Sequence, residues 1–404
     1  MHTGTRQFAA VGGIALLLAV SPNEGVGQAP SVRDSAGVSI VTIPGSGLPS
    51  FGIVSREPTL VLGAVSGGEA TTFGTVSSAV RLRGGTIVVS DAQSHTIRFF
   101  DSGGNVQASA GGRGAGPGEF QSLAWIRRAS DTTVIAYDRA RRATVLDSRG
   151  RVLRSANVPG PPIGLFDNGE LLVSRRNARA VERPPLGTGR DSSWYMLARD
   201  SSNWLAVDTL VALPNDDPPF STVTRDPRNN AVVRISYGAT MPFGRVSSAV
   251  TLPDGFVHTD GTNWELRFYS RTGDLIRLVH SERERRRVTD AHMRAFVRDF
   301  VARLRESARD GATRAFEAYQ PPAYMPAIGV VKASSAGDLW VQEYPLPGAT
   351  EHVWVVLDRV GMPRGEVRVP ATIEVFDVGQ DFVVGVRKGP YDIDQVVLFG
   401  IARE

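Results

Sequence analysis

The chain has 404 residues, 42% of them hydrophobic, with 43 Gly and 25 Pro, which is enough to build a large closed core. Its formal charge is +4, yet only Lys332 and Lys388 are lysines, and the Arg residues are interleaved with acids along most of the chain. That distribution argues against a clustered basic face and so against a nucleic-acid partner. The absence of Cys excludes disulfides, thiolate metal sites, a Cys nucleophile and a lipid-modified Cys anchor.

The first element in chain order is a targeting segment. Arg6 precedes an apolar run from Phe8 to Val20, and Gly25 to Ala29 supply small residues for cleavage. Residues 1–29 therefore read as a secretory signal peptide. The run is short for a membrane span, and no later stretch is long and apolar enough for one. The expectation is an exported, periplasmic or secreted monomer with no membrane span after cleavage.

A turn signature then recurs. Asp101-Ser102-Gly103-Gly104, Asp147-Ser148-Arg149-Gly150 and Asp358-Arg359-Val360-Gly361 each join two apolar runs; Ser270-Arg271-Thr272-Gly273 is a weaker copy, and Asp34-Ser35-Ala36-Gly37 a fifth. Asp bonds its own backbone across such a turn, and Gly supplies the positive φ before the next strand. Six further segments run from Gly or Asp into β-rich apolar residues: Gly85–Val89, Asp131–Ile135, Gly169–Val173, Asp254–Val257, Gly337–Val341 and Gln380–Val384. One complete unit has an inner strand such as Leu123–Arg127, a second strand after the Gly/Asp turn, a third ending at Asp-x-x-Gly, and a fourth such as Arg151–Ala156. Four antiparallel strands repeated six times predict an all-β, six-bladed propeller of four-stranded blades over residues 30–404.

Unit spacing places two insertions. From Leu171 to Phe256, and again from Phe256 to Leu339, the interval is far longer than from Ile87 to Val134. The first insertion, Arg175–Pro185 with Pro214–Asn230, is rich in Pro, Arg, Asp and Asn and reads as loops. The second reads as one short helix at about 289–310, between the fourth and fifth blades. Met293, Phe296, Val297, Phe300, Val301 and Leu304 share one helical face, with Thr289 or Asp290 as N-cap and Gly311 as stop.

The last unit shows only three strands, Ile373–Phe376, Phe382–Val386 and Gln395–Gly400, and so needs a fourth from the N-terminus. The repeat register favours Thr59–Leu62, with Val38–Ile43 packed nearby.

The link Gly111-Gly112-Arg113-Gly114-Ala115-Gly116-Pro117-Gly118-Glu119-Phe120 resembles the inter-blade link of NHL-type six-bladed propellers. Together with Asp34–Val38 and Gly337–Val341, it makes the chain from about 32 to 404 similar to exported bacterial six-bladed propellers. The resemblance implies a fold rather than an activity.

Chemistry is sparse. The Gly-rich link is no phosphate cradle, because Pro117 stands where Lys-Ser/Thr is needed and a strand follows. Asp91, Asp138 and Asp260 occupy one repeat position and read as caps of their own turns rather than a metal ring. His95 and His258 fall in a hairpin loop and a strand; the chain has no His-Glu-x-x-His pair and no Gly-x-Ser-x-Gly elbow. The six Trp read mostly as blade packing. By position, the loops entering the inner strands offer a candidate ligand site at Arg113, Glu119, Gln121, Phe243, Arg245 and Tyr324. No catalytic residue, metal ligand or resident cofactor is assigned. The leading expectation is a binding or scaffold module for a peptide, glycan or protein partner. The alternative is a propeller hydrolase or lyase of lactonase type, with a divalent cation in its channel.

Overall fold

The computed structural model describes residues 29–63, 72–176, 192–199, 204–217, 219–225 and 232–403. The signal-peptide reading falls almost wholly outside these residues, as do residues 177–185, 218 and 226–230 of the first insertion. Six four-stranded antiparallel blades form a propeller, with the strands of the first five blades in sequence order from the centre outward. The first three blades begin at the inner strands Val76–Arg81, Leu123–Arg128 and Pro162–Leu165, and the others at Ser248–Leu252, Ile328–Ala333 and Glu374–Val378.

The Asp-x-x-Gly turns form as their chemistry dictates. Asp101 Oδ1 accepts from the N–H groups of Gly103 (2.9 Å) and Asn105 (2.8 Å). Asp147 does the same for Arg149 and Arg151, and Asp358 for Val360 and Met362. Ser270 Oγ substitutes in the fourth blade, accepting from Thr272 and Asp274. The Gly at each position has φ between +76° and +90°, which explains why one side chain with a short acceptor and one residue without Cβ suffice to mark the fold.

Hydrophobic packing lies between blades. Phe99, Ile97 and Val88 of the first blade meet Ile126, Val134 and Leu146 of the second. Equivalent clusters join every neighbouring pair, including the sixth blade to the first through Val384, Val396, Ile87 and Phe100. Of the six Trp, Trp204, Trp340 and Trp354 are fully buried in such clusters, whereas Trp194 is exposed.

Closure follows the register argument. Leu60–Leu62 pairs antiparallel with Asp394–Ala402 and supplies the fourth strand of the last blade. The preceding segment differs from expectation. Val38–Ile43 lies parallel to the outer strand of the fourth blade, Leu275–Ser281, with Ile40 opposite Leu278, and Ser31–Ser35 pairs with it in turn. The chain then crosses the fifth blade, where Phe51 N–H donates to Glu366 O (2.8 Å), and Ile53–Val54 pairs with the end of the last strand. A belt thus runs outside three successive blades. Val38–Ile43 is not beside the closing blade, because parallel pairing lets it dock on any outer edge that the connecting length can reach.

Two insertions leave the expected pattern. Pro219–Arg225 and Val232–Thr240 form an antiparallel hairpin, not loops; the flanking Pro, Arg and Asn masked the β-rich Ser221–Thr224 and Val232–Ile235. The helical insertion contains two helices, α1 (Asp290–Ala302) and α2 (Glu306–Glu317). Thr289 caps α1, and its Oγ1 accepts from His292 N–H. Gly311 is no stop: it lies inside α2, whose apolar contacts are few because the sequence is mostly polar. Ala312 and Phe316 of α2 pack against Phe296, Val297, Phe300 and Val301 of α1.

Both insertions replace links from an outer strand to the next inner strand, so both lie on the face where inner strands begin, called here the upper face. They touch: Tyr319 Oη donates to Pro242 O (3.0 Å), Met241 joins the helical cluster, and Phe243 stands 5.8 Å from the Phe296 ring.

Candidate functional site

The repeat carboxylates are structural in two blades. Asp91 accepts from Gln93 N–H (3.0 Å) in its own turn, and from Gly74 and Thr75 N–H (3.0 Å each) in the link into its blade's inner strand. Burial raises its pKa, but the bonds from Gly74, Thr75, Gln93 and Ser94 outweigh this and hold it below the usual carboxylate range. Asp138 repeats the arrangement with Gln121, Ser122 and Ala140. Among the described residues Asp260 caps only Thr262. In its blade Asp216 and Asp217 anchor the inner-strand link instead, through Ser247 N–H (2.6 Å) and Arg245 N–H (2.8 Å). Among the described residues no group of three or more His, Asp or Glu side chains is placed to hold a metal ion.

The six loop positions have local roles, and none of them lines the channel cavity. Arg113 contacts His95 Nε2 (3.4 Å), Glu119 accepts from Gly116 N–H (2.9 Å), and Gln121 N–H is held by Asp138. Phe243 is buried beneath α1, with φ +54°. The Arg245 guanidinium grips Asp217 at the base of the hairpin. Tyr324 is flanked by the guanidinium groups of Arg285 and Arg287. Within the Gly-rich link the N–H groups of Gly114, Glu119 and Phe120 donate to the carbonyls of Phe120, Gly116 and Gly112, and Arg142 fastens the link by donating to the carbonyls of Ala115 and Gly116.

The candidate site is the central channel, a cavity of about 800 Å³ walled by residues of all six inner strands. Its lining reaches Asp216 and Ser247 toward the upper face. On the lower face it reaches the turns that follow the inner strands, at Ser130, Asp167, Pro253 and Ala336.

Four charged side chains occupy its middle. Asp377 is 6% exposed and binds the Arg128 guanidinium directly; it also accepts from Arg81 N–H (2.8 Å). Arg127 Nη1 donates to the carbonyls of Ile163 (2.9 Å) and Pro162 (3.3 Å), and its guanidinium lies 4.5 Å from the Trp125 ring centroid. Depth in the disc lowers its pKa to about 10, although the group keeps free surface on the channel and stays charged at neutral pH. Lys332 follows Val331 on the fifth inner strand. Burial, with Arg127 acting in the same direction, lowers its pKa to about 8 against the opposing pull of Asp377 and Glu374. Sequence reasoning missed this cluster. The signal was a lysine inside an apolar inner strand, in a chain with only two.

Near the upper end, Ser247 Oγ lies 2.9 Å from His258 Nε2 and is hydrogen-bonded to Tyr195. This looks like a nucleophile and base, but the third member is missing. His258 Nδ1 is buried with no partner among the described residues. Burial also pushes the imidazole pKa down to about 4, making it a weak base at neutral pH. The folded pKa lies below the ordinary 6.5, so the folded state binds fewer protons. The neutral His258 favours folding above pH 6.5, and that contribution is lost between pH 6.5 and about 4. Its full size is on the order of 3 kcal/mol. Urea midpoints of the wild type should fall more steeply across that window than those of His258→Asn; parallel slopes would refute this.

No family model and no curated protein matches the chain. Solved structures do match. A "putative exported protein" from Bacteroides fragilis is 10% identical, with a TM-score of 0.48, covering 90% of this chain and 100% of its own. A member of the DUF4221 family from Bacteroides vulgatus is 11% identical, with a TM-score of 0.42, over 87% and 98%. The β-propeller domain of Cps50 (Swd1) from Myceliophthora thermophila is 8% identical, with a TM-score of 0.37, over 86% and 99%. At such identities no ligand and no residue role transfers to this chain.

Proposed function

We propose that the protein is an exported, non-catalytic propeller that binds a peptide, glycan or protein partner. The observation that carries this reading is the channel itself: a cavity of about 800 Å³ in a rigid disc, with polar and charged groups from several blades along its wall. The N-terminal pattern of Arg6 and the Phe8–Val20 run supports export. The lactonase-type alternative needs a carboxylate or His constellation around a cation, and two of the channel acids are otherwise engaged: Asp377 with Arg128, Asp216 with Ser247 N–H. The NHL-like Gly-rich link is part of the same proposal as a structural relationship.

The lower mouth allows a clean test, because Ser130 and Ala336 are exposed turn residues on its rim. Immobilised wild type should retain a component from cell-envelope extracts, and Ser130→Trp/Ala336→Trp, with an unchanged melting midpoint, should lose it. Equal retention by the blocked variant would rule out the channel as the site.

A further inference from the structure

Resting on that reading, we infer that the channel binds an oxyanion, the free carboxylate of a peptide or acidic sugar, between Lys332 and Arg127. Among the described residues the Lys332 side chain makes no hydrogen bond or ion pair, although its stem stands in the wall of the disc and its neighbour Arg127 carries a like charge. Among the described residues Arg127 has no carboxylate partner either: its side chain donates from Nη1 to two carbonyls. The acid that could have neutralised the pair, Asp377, is committed to Arg128 and to Arg81 N–H. Glu374 and Asp377 attract Lys332 only at longer range.

Two cations held near each other in a walled cavity repel, and among the described residues no carboxylate is paired directly with either of them. An entering anion removes the repulsion and gains a point charge from Lys332 and planar donors from Arg127. The channel also concentrates the field, since low-dielectric walls around a cleft focus field lines. Trp125, already under the Arg127 guanidinium, fixes that group's plane and lowers the ordering cost on binding. At the lower mouth Asp167 is exposed, and Arg83 takes Asp131 in an ion pair, so the acids of the rim are diluted before the cations are reached.

The test is titration calorimetry on the mature protein with matched probes. These are an N-acetylated tripeptide with a free C-terminal carboxylate and the same peptide amidated, glucuronate and glucose, and inorganic phosphate. At least one acid should bind, at least tenfold more tightly than its neutral counterpart, and more weakly as salt is raised. Lys332→Met and Arg127→Met should each weaken that binding at least tenfold, and Lys332→Met should melt no lower than the wild type, which shows that it is folded. Binding of phosphate alone would assign the oxyanion site to phosphate and overturn the carboxylate. Equal binding of acid and neutral probes, no binding of any acid, or full affinity in both variants would overturn the inference entirely. The last outcomes leave the binding-module reading to its own test, since a neutral partner retained by the wild type and lost on blocking the mouth would still support it.

Discussion

Asp377→Ala should destabilise the protein by about 3–5 kcal/mol, the cost of leaving a buried charge without its partner. Both members of the Asp377–Arg128 pair are well covered, with side-chain exposures of 7% and 12%. Arg128 Nε is already buried without a partner among the described residues, so the guanidinium depends on Asp377 for what neutralisation it has. The substitution also strips the acceptor from Arg81 N–H, which belongs to a different blade. The same carboxylate therefore ties the first, second and sixth inner strands together at the channel wall. Asp377→Asn keeps an acceptor for Arg81 N–H but no charge, and should cost less. Replacing both partners, as in Arg128→Met/Asp377→Leu, should cost less than Asp377→Ala, because no ion is then stranded. Denaturant midpoints of the four proteins check this ordering; a double variant weaker than Asp377→Ala would show that the pair contributes packing rather than charge balance.

These residues show where sequence reading runs out. The blades were legible because their signals are local: an Asp or Ser bonding N–H groups two and four residues ahead, and a Gly with φ near +80°. The closing strand was legible as well, since Leu60–Leu62 completes a phase set by the other blades. The belt was not, because a parallel strand on an outer edge needs no turn and no particular partner sequence. The second helix was hidden by Gly311, whose usual role is to end a helix. The channel charges were hidden for a different reason. Arg127, Arg128, Lys332 and Asp377 come from three blades and meet only through ring closure. The loop residues chosen by position, Arg113, Glu119, Gln121, Phe243, Arg245 and Tyr324, lie in the links and insertions rather than along the channel cavity. In a propeller the repeat accounts for residues that recur, and those that face the axis without recurring carry the individuality of the chain.

The belt gives the other large effect. A chain beginning at residue 72 should fail to yield a folded monomer, whereas one beginning at residue 56 should fold with a lowered midpoint. The first loses Leu60–Leu62, which leaves the Asp394–Ala402 strand with an unpaired edge and removes Leu62 from the cluster joining the sixth blade to the first. A ring open at one seam exposes apolar surface on both blades beside it, and such edges recruit other chains. The second keeps that seam closed. It loses Val41 and Ile43 from between the fourth and fifth blades, and Phe51 and Val54 from between the fifth and sixth. Burying each of these side chains is worth roughly 1.5–3 kcal/mol, and their loss is spread over two interfaces that keep their other contacts. Point variants separate closing from covering. Leu62→Ala, 4% exposed, should cost about 2–4 kcal/mol; Val61→Ala, 40% exposed on the same strand, should stay within about 0.5 kcal/mol. Size-exclusion profiles and thermal midpoints of both truncations decide the matter. If the chain from residue 72 elutes as a folded monomer with the midpoint of the chain from residue 56, the seam is held by blade packing alone, and the strand that completes the last blade only covers an edge.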